Sequence, residues 1–185
     1  KFGVVFLTKK NTLPITMIGS DYIRPINYNV KIPSAQIKSS IMLGALNSPG
    51  KTYIVAKKSR DHTENFFKYL KIPIKIKKTF KNDYIEVRGQ QQFKSFNYKI
   101  PSDISSCSFF IVLTLLSKNS ELIIKNVNVN PRRAGIIKIL NKMGAKIKLY
   151  NKKIYCGEKI ADIIVKSAKN LKGFNCPSNY NASAI

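Results

Sequence analysis

The sequence predicts a mixed α/β (α+β) chain in which one β-α-β-α-β-β unit is written twice, with partial units on either side. Three observations carry this reading. The tetrapeptide Lys-Ile-Pro-Ser stands at 31–34 and again at 99–102, an offset of 68 residues. Each copy is followed by an apolar helical pattern, a β-branched run, a second helical pattern and two strand-like runs. Turn residues punctuate both copies at matching places. The period is too long for a solenoid.

The elements follow in order. Residues 1–26 read as the tail of an earlier unit. Asn27 to Lys31 and Asn97 to Ile100 alternate like strands, and Pro33 and Pro101 close them because proline cannot donate to a ladder. Ser34 and Ser102 then stand at N-cap positions. Ile37, Ile41 and Ala45 recur every fourth residue, with Met42 and Leu46 alongside, as one apolar helix face. Ile104 to Leu116 is apolar nearly all round, which predicts a more deeply buried helix. Pro49-Gly50 and Lys118-Asn119 mark turns, and Thr52 to Ala56 and Glu121 to Lys125 read as strands. Asp61 with Glu64 has capping-box spacing before the face Thr63, Phe66, Phe67, Leu70. In the second copy Pro131 suits a first helical turn, Ile136, Ile137, Leu140 and Met143 form the face, and Gly144 ends it. Ile74 to Lys78 with Asp83 to Arg88 reads as a hairpin, repeated by Lys146 to Tyr150 with Lys153 to Cys156. The two units thus span about 27–88 and 96–157. Ala161 to Lys166 would open a third after 160, and the polar Gly89 to Phe96 is the candidate linker. With no initiating Met, the chain reads as an internal piece of a longer protein.

The net charge is +24, from 33 basic and 9 acidic residues. Such a balance usually points to nucleic acid. Arginine, however, occurs only at 24, 60, 88, 132 and 133, which leaves 28 Lys, and Lys, Asn, Ile and Tyr are all abundant. That is the usage of an A/T-rich coding sequence. A solvated lysine coat, a polyanion-binding face and the steering of small anions all remain open on charge alone. Cys107, Cys156 and Cys176 are widely spaced and odd in number, and His62 is the single histidine, so neither a zinc site nor a disulfide framework is expected. The apolar run from Ser108 to Leu116 is too short to span a bilayer, and Gly3 to Leu7 too short for a signal-peptide core. The chain reads as soluble and cytoplasmic, with reduced thiols.

Two polar motifs carry the chemistry. Ser34-Ala35-Gln36-Ile37-Lys38-Ser39 opens the first helix, where backbone N–H groups carry partial positive charge. Ser34 adds a hydroxyl, Gln36 an amide, and Ala35 keeps the approach open. This suits a phosphate or a hydroxylated ring; the plainer reading is that Ser34 only caps the helix. Ser59-Arg60-Asp61-His62-Thr63-Glu64 opens the second helix and places an arginine, suited to planar recognition of phosphate or carboxylate, in a lysine-rich chain. Asp61 reads as a cap. His62 lacks a sequence partner and reads as structural rather than as an acid or base. In the second unit, Ser102-Asp103-Ile104-Ser105-Ser106 replaces the cradle with an anion-repelling Asp103 that reads as a cap. Arg132 and Arg133 suit either an anion or a salt link.

Pro33 to Leu46, followed by Lys58 to Glu64, resembles the 5-enolpyruvylshikimate-3-phosphate synthase family, the 3-phosphoshikimate 1-carboxyvinyltransferases, in its Ser-Ala-Gln bacterial subgroup. The resemblance continues through Pro101 to Ser106, Asn130-Pro131 with Gly135, Lys142 to Ala145, Ala161-Asp162-Ile163 and Leu171-Lys172-Gly173, in family order over nearly the whole chain. It implies the enolpyruvyl transferase fold, an inside-out α/β barrel of two domains with three β-α-β-α-β-β units each. Residues 1–92 would end the N-terminal domain and 93–185 would begin the C-terminal one. It implies transfer of the enolpyruvyl group of phosphoenolpyruvate to the 5-hydroxyl of shikimate 3-phosphate, with release of phosphate through a tetrahedral intermediate and with no metal or organic cofactor. Ser34, Ala35, Gln36 and Arg60 would hold shikimate 3-phosphate, and Gln36 would also touch phosphoenolpyruvate. No catalytic residue is implied within the chain; the catalytic Asp would follow Ile185, just beyond the loosely matching segment from Ser178. The whole enzyme would be a monomer, and this piece alone would be inactive and prone to self-association.

Two other readings are set beside this one. The UDP-N-acetylglucosamine enolpyruvyl transferase shares the fold, but its motifs do not match those here. A polyanion-binding module rests on charge alone and would need arginine and aromatic clustering, whereas lysine is spread along the chain.

Overall fold

The first strands, β1 (Val5–Leu7) and β2 (Thr16–Ile18), pair antiparallel with Val5 opposite Ile18. They belong to a computed structural model that describes residues 2–8 and 12–184. Ile185, at the end of the loosely matching C-terminal segment, lies outside the described residues. The chain divides into two compact units. The first comprises residues up to Lys58 together with Leu70–Lys94, and the second comprises Ser59–Tyr69 together with the chain from Ser95 onward.

In the first unit, β3 (Asn27–Val30) runs parallel to β4 (Lys51–Lys57), and helix α1 (Ala35–Ala45) makes the crossover. Ile41, Met42 and Ala45 bury the predicted face of α1. Helix α2 (His62–Tyr69), grouped with the second unit, follows in the chain. Then β5 (Ile74–Lys78) and β6 (Asn82–Arg88) form the predicted hairpin, and the sheet order is β3-β4-β6-β5. Thr52, Ile54 and Ala56 on β4 point to the same buried face as Asp83, Ile85 and Val87 on β6. Gly89 ends the sheet in a tight place. Its N–H donates to Gly50 O at 3.0 Å, and a Cβ there would overlap the carbonyl oxygens of both Ala45 and Ser48.

The second unit repeats this topology with several departures from the sequence reading. No strand forms at 97–100. The parallel pairing shrinks to a single bridge, Ser102 with Val127, because Pro101 has no N–H and the Lys99 N–H donates to the Tyr155 hydroxyl at 2.9 Å. Asp103, not Ser102, caps α3 (Ile104–Leu116), accepting from Ser105 N. Helix α3 is also not deeply buried. Ile104, Cys107, Ile111 and Leu115 pack against the core, whereas Phe109, Phe110, Leu113 and Leu116 are 77%, 61%, 62% and 70% exposed. A helix that is apolar nearly all round reports no single face of its own, and the unit's own sheet reaches only one stripe of it.

A further departure concerns the last strands. Residues 148–155 form one strand, β8, rather than two. Its partner is β9 (Glu158–Lys166), the run expected to open a further unit after 160. Beyond β7 (Glu121–Asn128) the sheet order is β7-β9-β8, so β9 is the central strand of this unit and does not begin another. Asn151, at φ 48, makes a register shift rather than a turn. The turn is Cys156-Gly157, with φ of 48 and 82, the positive pair that tight hairpins favour. Pro131 likewise lies in a turn ahead of α4 (Gly135–Lys142), not in its first turn. Gly144, at φ 101, ends α4 as predicted. The chain continues through a short turn at Ser178–Tyr180 into α5 (Asn181–Ala184). Among the described residues no helix is long and apolar enough to cross a membrane.

Gly89→Ala is expected to cost roughly 3 kcal/mol, the scale of overpacking a close-packed site, because two backbone carbonyls must move. Denaturant unfolding measures it, and an unchanged midpoint would refute the close approach.

Candidate functional site

The first motif lies where α1 begins. Pro33 keeps the chain out of the helical region ahead of it, and Ser34 is extended, at φ −109 and ψ 115. Its Oγ accepts from Ile37 N at 3.3 Å, and its carbonyl accepts from Lys38 N at 3.3 Å. The Ala35 and Gln36 N–H groups therefore precede the first intrahelical bond and point along the positive end of the helix. Ala35 is half-buried and Gln36 exposed. Lys38, in the middle of the motif, is instead fully buried on the packed face beside Ile41 and Met42.

The second motif belongs to the second unit. Arg60 is half-buried between two buried neighbours, Ser59 and Asp61. The Ser59 hydroxyl is buried and makes no hydrogen bond among the described residues. The Asp61 carboxylate accepts from Asn130 Nδ2 at 2.8 Å and lies 3.5 Å from Arg132 Nε. Arg132 Nη1 donates to the Ser59 carbonyl at 3.1 Å. Of the two alternatives for Arg132, the structure takes the salt link. Arg133 does likewise, with Nη2 2.7 Å from Asp103 Oδ1 and 3.2 Å from the Ser105 hydroxyl.

His62 does have a partner, 96 residues away. Its Nδ1 lies 2.9 Å from Glu158 Oε1, and because an ionised carboxylate only accepts, Nδ1 carries the proton. Asn65 Nδ2 donates to the same oxygen at 3.2 Å, and Asn128 and Asn130 donate to Oε2 at 3.2 and 3.3 Å. Glu158 is buried at the start of β9. Burial pushes its carboxyl up, but the hydrogen bond and charge of His62, with the amides of Asn65 and Asn128, outweigh that and hold it below the usual range. Sequence reasoning missed Glu158, Asn65 and Asn128. The asparagines at 126, 128 and 130 were the available signal, but local spacing does not connect them to residue 62. Among the described residues no group of three or more His, Cys, Asp or Glu side chains could hold a metal ion.

A family model described as "EPSP synthase (3-phosphoshikimate 1-carboxyvinyltransferase)" matches residues 3–178. The chain is 43% identical over 177 residues to the 3-phosphoshikimate 1-carboxyvinyltransferase of Petrotoga mobilis and 41% identical over 175 residues to that of Caldicellulosiruptor bescii. Each alignment covers 94% of this chain and 40% of the relative. An EPSP synthase structure from Acinetobacter baumannii superposes with a TM-score of 0.80 at 32% identity, covering 97% of this chain and 40% of that one. The enolpyruvyl transferase NikO from Streptomyces tendae shares the fold at a TM-score of 0.62 and 12% identity, over 91% of this chain and 40% of that one. The chain thus spans about 40% of the length of the curated relatives it matches.

A carboxyl held low in the folded state contributes stability that is present above its unfolded pKa and is lost as the pH falls through its folded one. Glu158→Gln is therefore expected to lower stability at pH 7 by about 1–3 kcal/mol and to flatten the decline below about pH 4.5. Denaturant midpoints along an acid series test both, and curves parallel to wild type throughout would refute the assignment.

Proposed function

The chain belongs to the EPSP synthase (3-phosphoshikimate 1-carboxyvinyltransferase) family, and from that premise we propose that it is part of an enzyme moving the enolpyruvyl group of phosphoenolpyruvate to the 5-hydroxyl of shikimate 3-phosphate. The observation that carries the reading is the family match over 3–178 together with Ser34-Ala35-Gln36 at the open start of α1. In this reading Ser34, Ala35, Gln36 and Arg60 bind shikimate 3-phosphate, and Gln36 also contacts phosphoenolpyruvate. The Ser34 oxygen caps the helix as an acceptor while its O–H stays available to donate. The Ala35 and Gln36 N–H groups favour an anionic or hydroxylated ligand. Arg60 supplies a planar cation, and the orphaned Ser59 hydroxyl beside it is a further donor for the same phosphate.

These groups bind and orient; they neither protonate nor deprotonate a reacting carbon. The proton-transfer groups of the addition and elimination belong to the part of the family's length that this chain does not span. No metal or organic cofactor enters the reading. Residues 1–92 are proposed to end one domain of the enzyme and 93–185 to begin the next, in a cytoplasmic protein monomeric at full length. By itself the chain is expected to self-associate through the apolar face of α3.

Calorimetry with shikimate 3-phosphate tests the binding half. Arg60→Ala is expected to weaken affinity roughly tenfold to a hundredfold, the loss of a charge-assisted hydrogen bond of about 1.5–3 kcal/mol. Equal affinity would remove Arg60 from the site. With both substrates the 185-residue chain is expected to show no turnover, and measurable turnover would overturn the division of labour. Sedimentation is expected to report oligomers that Phe110→Lys with Leu113→Lys disperses, and a monomeric wild-type chain would refute the association.

A further inference from the structure

The short turn that carries Arg60 is held on both sides by one loop of the same unit. Behind Arg60, the Ser59 carbonyl accepts from Arg132 Nη1 at 3.1 Å. Ahead of it, the Asp61 carboxylate accepts from Asn130 Nδ2 at 2.8 Å and pairs with Arg132 Nε at 3.5 Å. A single guanidinium thus spans residues 59 and 61, using the fixed fork that lysine lacks. The loop is itself stiffened. Asn130 Oδ1 accepts from Arg132 N at 2.9 Å, Asn130 N donates to Asn128 Oδ1 at 3.0 Å, and Asn130 Nδ2 also reaches Glu158 Oε2 at 3.3 Å.

We propose that Asn130 and Arg132 are positioning residues for Arg60: by clamping its two chain neighbours they set the direction in which its side chain leaves the backbone. This rests on the reading of Arg60 as the contact to the ligand's phosphate. Arginine has a long side chain with many rotamers, so its aim depends on how firmly its root is held. Arg132 does not serve as a direct anion ligand. Its fork faces the Ser59 carbonyl and the Asp61 carboxylate, which neutralises it, and an incoming phosphate would have to displace that carboxylate. The neighbouring Arg133 holds Asp103 and Ser105 instead and provides an internal control.

The experiment is a double-mutant cycle of Arg132→Met and Arg60→Ala in the 185-residue chain, read as shikimate 3-phosphate affinity by calorimetry. Hydrogen exchange of the amides at 59–62 is recorded on each protein. Arg132→Met is expected to weaken binding on the order of tenfold, as misplacement of a binding group does. It should add little in the Arg60→Ala background, because the two act through one guanidinium. Arg132→Lys should restore only part of the loss, and Arg133→Met none of the effect. Exchange at 59–62 is expected to quicken in Arg132→Met and Asn130→Ala while protection in β9 stays unchanged. Wild-type affinity in Arg132→Met, or its full decrement again on top of Arg60→Ala, would overturn the proposal. If Arg60→Ala itself binds like wild type, the ligand reading fails separately, and exchange alone decides: unchanged protection at 59–62 refutes the clamp, and faster exchange upholds it.

Discussion

A carboxylate withdrawn from water is costly unless every lone pair finds a donor. In the second unit that demand falls on Glu158, and its surroundings are arranged to meet it. His62 and Asn65 come from α2, and Asn128 and Asn130 from the end of β7 and the loop after it. The backbone follows the same demand. Glu158 stands directly after the Cys156-Gly157 turn, and a Cβ on Gly157 would lie 2.8 Å from the Asn65 carbonyl. Glycine there supplies the positive φ and also admits the helix that satisfies the carboxylate. The clamp on residues 59 and 61 is an outlying part of this network, joined to it through Asn130.

A second buried acid solves a different problem. β7 and β8 both lose register against β9, between Ile124 and Val127 and between Tyr150 and Lys153. Such shifts leave backbone groups without ladder partners. Asp162, on the central strand, accepts from Asn126 N at 2.7 Å and from Asn151 Nδ2 at 2.9 Å. The Asn126 N–H and the Asn151 amide, with Lys125 and Lys153 nearby, hold its carboxyl below the usual range. One side chain therefore serves the irregularities of both flanking strands.

The repeat was legible because it is carried by local signals: Lys-Ile-Pro-Ser, the four-residue spacing of α1, Gly144, and the β5–β6 hairpin. The failures share a cause. Asn151-Lys152 has turn composition, so local pattern divides β8 into a hairpin and leaves β9 as the opening of a further unit. Helix α3 has no polar side, and only tertiary contacts decide which stripe is covered. Ser34 and Arg60 could be singled out by residue type. Glu158 could not, because its partners His62 and Asn65 lie 96 and 93 residues earlier.

Ser59–Tyr69 lies between two segments of the first unit yet is counted with the second. The two units are therefore not successive beads on the chain, and no single backbone cleavage yields both intact. A cut at the sequence boundary near residue 92 would leave α2 covalently attached to a piece that lacks Asn128, Asn130, Arg132 and Glu158. Proteolytic dissection or separate expression of the halves would thus generate a cohesive defect on each side: a helix without its acid, and an acid without its helix.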